Sequence, residues 1–222
     1  MKQGFIKVAA VTPDLRVADV AYNTEKICEA IEEAAQERAK IVVFPELCIT
    51  GYTCGDLYLQ EALLKSAKNA LQYIAETTRE KDMLVFIGVP LDVEGKLYNV
   101  AAALNRGEIL GLTTKTFLPN YGEFYEMRQF TPGPEVSREI LLDGKQVPFG
   151  PQILFQATTM ENLIVSAEIC EDVWSPIPPS IKAALEGATV IVNCSASDEN
   201  VGKDGYRRNL IAGQSARLIA GY

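Results

Sequence analysis

The chain has 222 residues, 48% hydrophobic and 23% charged, and this composition suits one sizeable α/β domain around a buried core. Its net charge of -8 argues against a nucleic-acid or anionic-membrane surface as the main partner. It contains no histidine, so neither a Ser-His-Asp or Cys-His triad nor a His-ligated metal can be built from it.

The elements alternate along the chain as they do in a layered α/β fold. Met1 leads directly into Phe5-Ile6-Lys7-Val8-Ala9-Ala10-Val11, which reads as a strand and not as a signal peptide. A helix is expected from about Asn23, capped by Asn23 or Thr24, with Ile27, Ile31 and Ala34 on its inner face. The continuous apolar run Ile41-Val42-Val43-Phe44 predicts a strand covered on both faces. A second helix is expected over 57–79, with Leu64, Leu71 and Ile74 inward, then a strand over 83–89. Residues 98–105 and 109–115 predict a hairpin turning at Arg106-Gly107-Glu108. Residues 117–134 carry aromatics, Pro and Gly without periodicity, and an ordered loop of that length tends to be functional. Strands are expected at 152–157, 163–169 and 189–193, and helices at 180–186 and from about Asp204 to the end. No linker or repeat interrupts this pattern. The reading is one domain over residues 1–222, incomplete at its C-terminus, because Ala220-Gly221-Tyr222 follows a helix with no closing strand.

Three polar residues fall at predicted strand ends: Glu46, Lys115 and Cys170. Ligands of open α/β sheets bind at such ends, so the three can converge. Taken singly, Cys170 also suits a small buried hydrophobe, Glu46 a cap and Lys115 a surface strand end. Together they form a consistent set. A thiol is mostly protonated at neutral pH and needs a base or a nearby cation; without histidine the base is a carboxylate, a lysine or a tyrosine, of which a buried carboxylate suits best. A lysine beside the thiol would stabilise the thiolate and then an oxyanion. The five cysteines, Cys28, Cys48, Cys54, Cys170 and Cys194, are odd in number and lack a C-x-x-C pair. They suit a reducing, cytoplasmic setting rather than a disulfide framework or structural zinc. Cys194 closes a strand near the expected site and is the thiol expected to compete with Cys170 for reagents.

Phe44-Pro45-Glu46-Leu47, Lys115-Thr116-Phe117-Leu118-Pro119 and Glu168-Ile169-Cys170-Glu171-Asp172-Val173-Trp174 resemble, in order, the three signature segments of the nitrilase superfamily. Residues 51–57, 118–126 and 173–180 extend the resemblance to the N-terminal glutaminase domains of glutamine-dependent NAD synthetases. The resemblance implies an α-β-β-α sandwich, with Cys170 attacking the glutamine carboxamide, Glu46 as general base and acid, and Lys115 stabilising the tetrahedral intermediates. It further implies Glu126 as an additional carboxylate at the site, and Tyr121, Glu171, Ser197 and Lys203 as substrate contacts. It implies no cofactor or metal for amide hydrolysis. ATP and Mg belong to the ammonia-accepting synthetase domain, whose Ser-Gly-Gly-x-Asp-Ser loop is not in this sequence. A homo-oligomer is also expected. The alternatives are a free-standing amidase or carbamoylase, and a non-catalytic assembly module.

Overall fold

Alternation along the central strands decides how the layers stack. In the computed structural model, which describes residues 4–222 and so leaves Met1 outside, Val85, Ile87 and Val89 face one way and Phe86 the other. Their strand, β3 (Leu84–Val93), lies in a seven-stranded sheet with β1 (Val8–Ala10), β2 (Ile41–Val43), β4 (Lys96–Asn105), β5 (Glu108–Thr114), β6 (Arg138–Leu142) and β7 (Lys145–Gly150). The order is β1-β2-β3-β4-β5-β7-β6. One face meets α1 (Val20–Gln36) and α2 (Glu61–Thr77) through Ile27, Ile31, Leu71 and Ile74, which are fully buried. The other face meets a three-stranded sheet of β8 (Leu154–Gln156), β9 (Ile164–Ile169) and β10 (Val190–Cys194). Phe86 and Phe155 pack edge to face between the sheets, their centroids 5.6 Å apart. Behind the small sheet lie α3 (Pro179–Leu185) and α4 (Lys203–Leu218), completing an α-β-β-α sandwich.

The run at 41–44 is covered on both faces as expected: Ile41 lies between the sheets and Val42 under the helices. The hairpin at Arg106-Gly107 also forms, with both residues at positive φ, as a two-residue turn of this hand requires.

Two expectations are corrected. Helix α1 starts at Val20 and is capped by Asp19, whose side chain accepts the Tyr22 N–H. Asn23 is instead buried inside the helix, where it accepts the Arg16 N–H and donates to the carbonyls of Arg16 and Ile49. The stretch 57–79 is not one helix. A 3₁₀ segment over Tyr52–Leu59 breaks at Gly55, whose φ of 55° and ψ of -132° are non-helical, and α2 begins only at Glu61. After α4 the last residues form an isolated bridge: Gly221 bridges Val190, with Ile191 donating to the Gly221 carbonyl.

Candidate active site

Strands β2 and β3 are parallel, β3–β4 and β4–β5 antiparallel, so β2 and β5 point the same way and their C-terminal ends share one edge. Glu46 follows the first and Lys115 the second. Between them β3 presents Gly88, and the Pro45–Leu47 segment crosses directly over it. A Cβ at Gly88 would lie 2.2 Å from the Leu47 nitrogen and 2.4 Å from the Pro45 oxygen, so only glycine lets Glu46 sit this deep. The segment then turns through Leu47, held at a φ of 52°.

Glu46 and Lys115 are each 1% exposed. Lys115 Nζ donates to Glu46 Oε1 and to Glu126 Oε1, both at 2.6 Å. Asn99 Nδ2 on β4 donates to the same Glu46 oxygen at 2.7 Å, and the Ala196 N–H reaches Glu46 Oε2 at 3.2 Å. The Tyr52 hydroxyl donates to Glu126 Oε1 at 2.6 Å, while Glu126 Oε2 is buried without a protein partner. Burial by itself would lower the Lys115 pKa, but the two carboxylates outweigh it and raise it, so the ammonium is fixed as a cation. Burial first, and then the Glu46 charge, raise Glu126 against the pull of Lys115.

Cys170 comes from the opposing sheet. It ends β9 at a φ of 41°, a strained position for a residue with a side chain, of the kind that gathers at functional sites. Its N–H donates to Asn193 Oδ1 at 2.8 Å, and the Ser195 hydroxyl donates to its sulfur at 3.4 Å. Asp172, fully buried, locks this turn to the lysine strand. Its Oδ2 accepts the Ile169 N–H, and its Oδ1 accepts the N–H groups of Thr116 and Phe117. Burial pushes the Asp172 carboxyl up to about 7 even against these donors. Burial and then the Glu46 charge push the Cys170 thiol up to about 12, with Lys115 opposing. The resting cysteine is therefore a thiol.

The four remaining predicted residues are distributed around this centre. The Tyr121 hydroxyl donates to both Glu171 oxygens, at 2.9 and 3.0 Å. Ser197 is tied to the cysteine only through Ser195, whose hydroxyl accepts the Ser197 N–H. Lys203 pairs with Asp198 and lies 5.4 Å from the Trp174 ring centroid, so its charge is already engaged. The expected competitor Cys194 is corrected: it is 0% exposed and its thiol is pushed well above the usual range by burial. Sequence reasoning missed Tyr52, Asn99, Asp172, Asn193, Ser195 and Ala196 as site members. Asn193 carried a usable signal, since it stands at a strand end one sheet position from the cysteine strand.

A buried carboxylate, a cation and a thiol carried on facing sheets of an α-β-β-α sandwich define a nitrilase-like fold. The carbon-nitrogen hydrolase family model matches residues 7–216, and the chain belongs to that family. It is 37% identical to the glutamine-dependent NAD(+) synthetase of Mycobacterium tuberculosis over 221 residues, all of this chain and 32% of that protein. A glutamine-dependent NAD(+) synthetase from Cytophaga hutchinsonii superposes with a TM-score of 0.87 at 32% identity, over 97% of this chain and 34% of that one. An amidase from Nesterenkonia sp. superposes with a TM-score of 0.75 at 20% identity, over 99% of this chain and 75% of that one, a likeness of fold. The chain thus spans about a third of the length of the NAD synthetase relatives it matches.

Proposed function

We propose that this chain is a glutamine amidohydrolase unit that releases ammonia for NAD synthesis by a synthetase domain. The observation that carries the reading is the buried Glu46–Lys115–Glu126 ion cluster beside Cys170 at its left-handed turn. The likeness of the whole of this chain to about a third of the glutamine-dependent synthetases supports glutamine as the substrate.

The steps follow from the charges. Glu46 takes the Cys170 proton as sulfur attacks the side-chain carbonyl carbon of glutamine, so one negative charge moves from the carboxylate to the oxyanion. Lys115, held by two carboxylates, stabilises that oxyanion. The Cys170 N–H takes no part in this, because Asn193 already accepts it. The protonated Glu46 then gives its proton to the leaving nitrogen, ammonia departs, and a thioester remains. Water attacks the thioester with Glu46 again as base, and the tetrahedral adduct collapses to glutamate and free thiol. The net reaction is glutamine plus water to glutamate plus ammonia, with no cofactor or metal. Tyr121, Glu171, Ser197 and Lys203 hold the amino-acid end, and Lys203 must share itself between Asp198 and the substrate carboxylate. The synthetase domain that uses the ammonia brings ATP and Mg, and the assembly is a cytoplasmic homo-oligomer.

The test compares kcat/KM for glutamine with that for aliphatic amides such as propionamide. A preference for glutamine of at least 100-fold is expected. Equal or greater efficiency with aliphatic amides would favour the general amidase reading, and no turnover by a folded chain that lacks reactivity at Cys170 the assembly-module reading.

A further inference from the structure

The small sheet carries a buried polar chain that the reaction above does not use. Asn193 on β10 lies opposite Glu168 on β9 in the parallel register, and both side chains reach toward α3, α4 and the last residues. The carboxamide orientation of Asn193 is dictated at one end: its Oδ1 accepts the Cys170 N–H at 2.8 Å. Its Nδ2 must then donate, and it does so to the Tyr222 hydroxyl oxygen at 3.1 Å. That hydroxyl must in turn donate onward, and its acceptor is Glu168 Oε1. Glu168, fully buried, is anchored by the Ser180 N–H at 2.9 Å, and the Ser180 hydroxyl accepts from Gln214 on α4 at 2.9 Å. Each donor in this chain has one acceptor, and reversing any member would set two donors or two acceptors against each other.

We propose that Tyr222, Asn193 and Glu168 are positioning residues that hold the Cys170 backbone in its strained left-handed conformation from behind the small sheet. This rests on the reading of Cys170 as nucleophile. A cysteine at a φ of 41° relaxes unless its surroundings over-determine it, and its amide has no other acceptor than Asn193. Relaxation would swing the sulfur away from Glu46 and Lys115. Of the proposed substrate contacts only Glu171 lies on this turn, and its carboxylate is held independently by the Tyr121 hydroxyl. The chain therefore acts on kcat and leaves KM alone.

The experiment measures glutamine hydrolysis and the rate of Cys170 alkylation by iodoacetamide in the wild-type chain, Tyr222→Phe, Asn193→Ala and the double variant, all well below their melting temperatures. Tyr222→Phe is expected to lower both kcat and the alkylation rate about tenfold, with KM within about twofold of wild type. Asn193→Ala is expected to do the same, and the double variant to be no slower than Asn193→Ala alone, because Tyr222 acts through Asn193. Wild-type rates in Tyr222→Phe, or effects that multiply in the double variant, would overturn the proposal. Should Tyr222→Phe not fold, Asn193→Ala carries the test, since it leaves the bonds of Glu168 to Tyr222 and Ser180 intact; unchanged kcat and alkylation there would overturn it equally. A wild-type chain that is alkylated at Cys170 but releases no ammonia from glutamine would instead count against the glutaminase reading, and the alkylation rates would still decide the positioning role.

Discussion

At the scale of single residues, the site holds one buried cation between two buried carboxylates. Lys115 neutralises one of the two carboxylates it touches, so its removal leaves Glu46 and Glu126 buried together without a cation. Lys115→Ala should therefore cost about 3–5 kcal/mol of stability, read by chemical denaturation, and abolish ammonia release. The thiol makes a second prediction. A free cysteine gains reactivity as pH rises through about 8.5, but burial holds Cys170 up to about 12. Its alkylation should depend on Glu46 as base, and Glu46→Gln should cut the rate at pH 7 by about 100-fold or more. Glu46, Lys115 and Cys170 were legible in the sequence because each ends a strand and their chemistries complete one another. Tyr52 and Asn99 were not. Their roles depend on partners far away in sequence, Glu126 for Tyr52 and Glu46 for Asn99, and an Asn or Tyr in isolation signals only polarity.

At the scale of elements, local pattern read well where burial was one-sided and poorly where a side chain left its element to serve another. Ile27, Ile31 and Ala34 marked the inner face of α1 correctly, but Asn23 looked like a cap when it is the helix's tether to Arg16 and Ile49. With three bonds in a buried position, Asn23→Ala should destabilise the fold by about 2–3 kcal/mol, measurable as a shift in the denaturation midpoint. The β6–β7 hairpin was missed altogether, although Asp143-Gly144, both at positive φ, is a strong turn pair. Its first strand, Arg138-Glu139-Ile140-Leu141-Leu142, is only five residues long and two of them are charged. The crossing at Gly88 gives a prediction that joins element to site. Gly88→Ala forces a Cβ into the Pro45–Leu47 backbone, so it should cost about 3 kcal/mol and lower kcat by displacing Glu46, with little change in KM.

At the scale of the whole molecule, two sheets each supply half of the chemistry, and the interface between them is what assembles the site. Buried thiols make that assembly sensitive to alkali. Cys48 and Cys170 are both held up to about 12 by burial, against about 8.5 in an unfolded chain. A raised folded pKa contributes stability that is whole below the unfolded value and is lost as pH climbs toward the folded one. These thiols should thus make the melting temperature fall as pH rises above about 8.5, each costing roughly 1.4 kcal/mol per pH unit until about pH 12. The layered α/β class was legible because strand-length and helix-length apolar segments alternate along the chain. The Asn193–Tyr222–Glu168 chain was not, since it runs between residues whose only common feature is their place around one small sheet. The account turns on Cys170 being the nucleophile of a site assembled by Glu46 and Lys115. The most direct measurement is covalent labelling with the glutamine-like electrophile 6-diazo-5-oxo-norleucine, mapped by mass spectrometry. The account predicts one adduct, on Cys170, lost in Glu46→Gln. Labelling at another cysteine, or none in a folded chain, would contradict it.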